Sequence, residues 1–131
     1  MSQIGLVDEA LGFGTINPVA DEPLPYGAPA YEGAEAGHAA ASGAALLGVV
    51  VRDPMGEHAD PDGYQPGQRI HVLRFGATYL PTPGGVGKGD PVHAGPDGWT
   101  KGPDGPALAG ATFDAARGPA GPVRILITLE V

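Results

Sequence analysis

The chain has 131 residues, no cysteine and a formal net charge of −8. That length allows one ordinary domain, or a smaller domain with an extended arm. The missing cysteines rule out a disulfide framework and a thiolate metal site, and the seven basic residues are too scattered to form a cationic surface for a phosphate backbone.

Negative charge keeps the free protein soluble before it meets a target. Gly and Pro together exceed a quarter of the chain, a level that accompanies disorder. Against disorder stand several β-type runs separated by specific turn sequences. Leu, Ile, Val and Phe supply only about a fifth of the residues, near the lower bound for an ordinary core. Such a chain is expected to borrow burial from partners.

Residues 1–22 read as an extended arm. Leu6, Val7, Leu11, Phe13 and Ile16 lie among Gly5, Gly12 and Gly14, which weaken any helix longer than one turn. Asn17-Pro18 favours extended chain. The opening Met1-Ser2-Gln3-Ile4 lacks signal-peptide character, and the longest apolar run, Ala44 to Val51, is too short to span a bilayer. Neither a membrane nor export through such a signal is expected.

Residues 23–131 read as a β domain. Ala28-Pro29-Ala30-Tyr31 is a short strand, placed at an edge by its proline. Residues 32–44 are an Ala- and Gly-rich loop. Leu46 to Arg52 is the best buried strand: apolar, β-branched at its end and bounded by Asp53-Pro54. Residues 53–67 form a polar surface loop. Arg69 to Phe75 follows as a strand, and Gly76-Ala77-Thr78-Tyr79-Leu80 reads as its hairpin return. Two near-identical turns, Gly95-Pro96-Asp97-Gly98 and Gly102-Pro103-Asp104-Gly105, bracket a very short strand at Trp99-Thr100-Lys101. In the last strand Val123, Ile125, Ile127, Leu129 and Val131 face a core and alternate with partly exposed residues. The class is all-β, a small sandwich or a jelly-roll-like barrel.

No constellation supports an enzyme. Gly84 to Gly89 imitates a phosphate loop, but Thr82 stands where the leading glycine belongs and Gly89 where Ser or Thr must follow the lysine. His38, His58, His71 and His93 form no zinc-presenting pair. Glu57-His58 with Asp60 and Asp62 lacks calcium-loop spacing and reads as a solvated loop. Ser42 is not in a nucleophile elbow. No catalytic residue, cofactor or metal is assigned. Trp99 and Tyr79 serve either as interface anchors or as filling for a thin core.

Six segments taken in order carry a resemblance. They are Leu24-Pro25-Tyr26-Gly27, Leu47 to Asp53, Tyr64 to Gln68 leading into Val72 to Gly76, Gly89 to Val92, Gly110 to Phe113, and the terminal apolar strand. Over roughly residues 23–131 the chain resembles the structural cement (head decoration) proteins of tailed bacteriophages. The resemblance implies a non-enzymatic virion component, made in the host cytoplasm and bound to the outer surface of the expanded head. There it bridges major capsid proteins and resists the pressure of packaged DNA. The implied partners are the major capsid protein and further copies of the chain, as a trimer on threefold or quasi-threefold axes, with a dimer as the rival. Direct nucleic-acid contact is not implied. In this reading Leu6, Val7, Leu11, Phe13 and Ile16 dock into grooves on the capsid or a neighbouring copy. The competing reading is a carbohydrate- or cation-binding module built on Trp99, Tyr64 and the Asp60–Asp62 loop.

Overall fold

A computed structural model describes residues 3–8, 12–53 and 62–128, and none of these is helical. The strands are β1 (Gly14–Ile16), β2 (Val19–Ala20), β3 (Leu24–Pro25), β4 (Pro29–Glu32), β5 (His38–Ala40) and β6 (Leu46–Val51). They continue with β7 (Gly63–Tyr64), β8 (His71–Thr82), β9 (Pro91–Gly95), β10 (Gly98–Thr100), β11 (Ala107–Phe113) and β12 (Gly121–Ile127). One ladder runs β10-β9-β11-β12-β8-β6-β4-β5-β2, with β1 joined to β8; β3 and β7 pair separately. The expected all-β class is what the chain adopts.

β8 organises the fold. Its first residues, His71 to Leu73, pair with Val51 to Val49 of β6, whereas Gly76 to Thr82 pair with Ile127 to Gly121 of β12. The stretch from Gly76 to Leu80 is therefore the second half of one twelve-residue strand, not a hairpin return. The change of partner falls at Gly76, whose φ is 120°. A Cβ there would sit 2.8 Å from Phe13 Cβ and 3.1 Å from the Gly12 carbonyl oxygen. Glycine is needed both for the backbone angle and for the chain crossing over it. In the sequence it looks like a turn residue because the same freedom serves turns.

Two apolar cores lie on opposite faces of the β6–β8 pair. Val49, Val51 and Leu73 enter one, with Trp99, Phe113 and Ile125; Val50 and Val72 enter the other, with Leu24, Tyr64 and Ile70. Consecutive residues on a strand point to opposite faces. An unbroken apolar run such as Leu46 to Val51 is thus the signature of a strand covered on both sides. β12 shows the complementary pattern: Val123, Ile125 and Ile127 are buried, while Arg124 and Leu126 are half-buried, as the alternation requires. Leu129 and Val131 lie outside the described residues. In β11 the alternation slips, since Leu108 and Ala111 are both buried. Gly110, with φ 74°, takes up the extra residue, and the register against β9 shifts between Ala107 and Thr112.

Pro29 does not put β4 at an edge. β4 lies between β6 and β5, but Pro29 is its first residue and pairs only with Val49, while β5 pairs with Tyr31 and Glu32 further along. A proline opening a strand removes no ladder bond that a neighbour needs. The repeated turns also diverge. Gly95 to Gly98 closes the β9–β10 hairpin, whereas Gly102-Pro103 is a cis peptide in the longer connection to β11.

The amino-terminal stretch does not extend away as an arm over its described residues. Gly5 N donates to the Tyr79 carbonyl (2.9 Å), Asp8 N to the Ala77 carbonyl (3.0 Å) and Arg52 N to the Gly5 carbonyl (2.9 Å). Thr78 Oγ1 donates to the Leu6 carbonyl at 2.8 Å. Beyond these residues β1 lies along Val72 to Phe75. The physical reason is the edge of β8. Backbone donors and acceptors there need partners, and the amino-terminal ribbon supplies them.

Candidate functional site

The residues singled out from the sequence fall into two groups. Leu6, Val7, Phe13, Ile16 and Tyr79 gather around β8 and the ribbon laid on it; Leu11 lies outside the described residues. Leu6 is the most open, at 38% exposure. Val7 and Phe13 are half-buried against the first core and Ile16 against the second. Tyr79 is half-buried and stands opposite Arg124 in the β8–β12 register. Arg124 holds the ribbon in place, with Nη2 3.1 Å from Asp8 Oδ2 and Nε 3.3 Å from Asp114 Oδ2. The Arg124 Nε contact lacks hydrogen-bond geometry, so it is electrostatic attraction rather than a directed bond.

Trp99 belongs elsewhere. Its ring is 1% exposed, and its indole N–H donates to the Gly27 carbonyl at 2.6 Å. A side chain with no open face has nothing to offer a second molecule, so here Trp99 fills the core and ties β10 to the turn before β4. Tyr64, at 2% exposure, is equally closed. The carbohydrate-binding alternative needed both rings on the surface and loses its platform. Of the acidic loop invoked for a cation, Glu57, His58 and Asp60 lie outside the described residues. Beside Trp99 runs an open groove of about 310 Å³ lined by Pro25, Pro29, Pro81 and Pro96 together with Tyr26 and Ala94.

Tyr64 closes one end of the β6–β8 pair. Its hydroxyl donates to the Val51 carbonyl at 2.8 Å, and its ring meets Tyr26 edge to face at 5.5 Å between centroids. Burial pushes its phenol well above the ordinary value; Tyr26 and Asp53 add to this, and a hydrogen bond with the His71 backbone and the charge of Arg52 work against it. A phenol raised in the folded state contributes stability that is complete below its unfolded value of about 10 and is lost as pH climbs toward the folded value. Tyr64 is expected to ionise only as the fold opens in strong alkali. Phenolate absorbance and circular dichroism followed together should show its step coinciding with unfolding, and Tyr64→Phe should lack that step.

Three histidines hold loops together. His38 Nδ1 lies 2.6 Å from Asp21 Oδ1 and Nε2 3.4 Å from Glu35 Oε2, joining the β2–β3 turn and the residues before β5. His93 Nδ1 is 3.0 Å from the Gly105 carbonyl oxygen. His71 contacts Asn17 and Asp53. Apart from the local His38–Glu35 contact, these pairings were not legible in the sequence, because they join residues far apart along the chain. Among the described residues no group of three or more His, Asp or Glu is placed to hold a metal ion, and no helix is long and apolar enough to cross a membrane.

Comparison with known proteins gives the arrangement its context. The family described as structural cement protein (E217 gp24/Pam3 gp6) matches residues 8–128. The fold superposes on a chain in the capsid of Myoviridae phage XM1 with a TM-score of 0.73 at 19% identity, covering 100% of this chain and 94% of that one. The comparison with curated proteins found no match. At that identity the superposition establishes a shared fold, and the family match spans nearly the whole chain, including the ribbon from Asp8 onward. The protein therefore belongs to the phage structural cement protein family and is a decoration and stabilising component of a phage capsid.

Proposed function

We propose that the protein binds the outer surface of the phage head, bridges neighbouring major capsid proteins and carries load without catalysing a reaction. The single observation that supports this reading most is the cement-family match over residues 8–128. Copies act as a closed oligomer, since rotational closure is how homo-oligomers ordinarily assemble; a trimer matches the threefold and quasi-threefold axes of a head, and a dimer on twofold axes is its rival. Each copy then needs only a modest contact, because linked copies bind with raised effective concentration. In this reading the ribbon and β8 form the contact face, with Leu6 as its open apolar residue and Val7, Phe13, Ile16 and Tyr79 around it.

Purified heads stripped of the protein provide the test. The wild-type chain should rebind DNA-filled heads, and imaging should place it at symmetry axes on the outer surface. Leu6→Glu should weaken affinity for heads at least about tenfold, equivalent to roughly 1.4 kcal/mol, while changing the melting temperature far less, because Leu6 is the most open of these apolar residues at 38% exposure and its carbonyl still accepts from Thr78. Rebinding of the wild type with equal affinity of Leu6→Glu would move the contact face elsewhere. Failure of the wild type to bind heads would reject the proposal as a whole.

A further inference from the structure

The link between β1 and β2 carries an interaction that no capsid-binding role requires. Asn17 Nδ2 donates to the Ile70 carbonyl at 3.0 Å and lies 3.1 Å from His71 Nδ1. The Ile70 carbonyl can only accept, so the amide NH2 must point toward β8 and its oxygen away. His71 Nδ1 is then the acceptor, and the proton of the neutral ring sits on Nε2. Nε2 faces Asp53 Oδ1 at 3.7 Å, beyond hydrogen-bond length. Other ionisable groups lie around this arrangement. Tyr64 places its ring 6.4 Å from the imidazole. Arg69 Nη1 donates to the Asn17 carbonyl at 3.0 Å. Arg52 precedes Asp53 and stacks over Tyr26 at 4.4 Å.

We propose that His71 is a proton-operated latch, holding the β1–β2 link through Asn17 when neutral and exchanging that hold for Asp53 when protonated. Protonation adds a hydrogen to Nδ1, which then faces the Asn17 NH2 as donor against donor. The amide has no easy escape, since turning it would bring its oxygen against the Ile70 carbonyl. The imidazolium meanwhile gains attraction to the Asp53 carboxylate. The neutral ring therefore pins the link, and the charged ring releases it. The remaining ties of the link, Ile70 N to the Pro18 carbonyl at 2.9 Å and the Arg69 contact, are not themselves switched by this proton. The consequence of protonating the ring is a local loosening of the link rather than unfolding.

The free protein is small enough for a direct test by nuclear magnetic resonance. Across a pH titration the Asn17 side-chain NH2 and the Ile70 amide should shift with the same midpoint as the His71 ring protons. In His71→Phe the Asn17 response should disappear. In Asn17→Ala, His71 should still titrate while the Ile70 amide no longer follows it. An Asn17 NH2 that stays fixed while the wild-type His71 titrates would overturn the latch, and so would an unchanged Asn17 response in His71→Phe. Should His71→Phe fail to fold, the wild-type titration decides alone.

Discussion

Trp99→Ala is expected to lower the stability of the isolated protein by about 3–5 kcal/mol, as truncation of a fully buried large aromatic does. At roughly 4 °C per kcal/mol for a chain of this size, the melting temperature should fall by at least about 12 °C. The magnitude follows from two losses. The ring leaves a cavity in a core where its neighbours cannot readily collapse, and the Gly27 carbonyl loses its indole donor. Trp99→Phe separates them: it restores most of the apolar volume but leaves the carbonyl unpaired, at a cost of about 1–3 kcal/mol. Chemical denaturation of the three proteins would measure both. The same experiment discriminates between the two roles open to this residue from sequence. An interface anchor would give a normally stable variant that fails on heads, whereas a core residue gives an unstable one.

Removing residues 2–16 should have a comparable or larger effect, again on stability before binding. A detachable arm would leave the melting curve of the remaining domain unchanged. Here the deletion strips β1 from one half of β8 and the ribbon from the other. It also leaves Arg124 without Asp8. Ile4, Val7, Phe13 and Ile16 each contribute partial burial worth roughly 1 kcal/mol, and the lost backbone bonds contribute about 1 kcal/mol apiece. A total above about 4 kcal/mol is a large share of the 5–15 kcal/mol typical of a domain. Thermal unfolding should shift down by well over about 10 °C or lose its cooperativity. A truncated chain that melts like the full one would show that the ribbon is dispensable to the fold. Any head-binding defect of that truncation is interpretable only after this measurement, which is why Leu6→Glu is the sharper probe of the contact face.

Both expectations depend on how a chain sparse in large aliphatic residues builds its interior. The composition led to an expectation of burial borrowed from partners. Within the single chain the fold places two cores on either side of β6 and β8 and recruits Trp99, Tyr26, Tyr64 and several alanines into them. Counting only Leu, Ile, Val and Phe misses these contributors. Small residues also let strands and turns approach closely, so less apolar volume is needed to fill the space between them.

The sequence by itself determined the all-β class, the doubly covered strand at Leu46 to Val51, the alternation of β12, the short strand at Trp99 between two Pro-Asp-Gly turns, and the family. These are local properties, written in periods of two and in turn residues that act over a few positions. Tertiary structure alone decided that Gly76 lies inside a strand rather than in a hairpin, that the amino-terminal residues complete the edge of β8, and that Trp99 faces inward. It also decided which residues meet as Arg124 with Asp8 and as Asn17 with His71. Each of these depends on which distant segment supplies the missing hydrogen-bond partners. Backbone pairing between strands far apart in sequence leaves no local mark, because any edge with free donors and acceptors accepts any extended chain that reaches it.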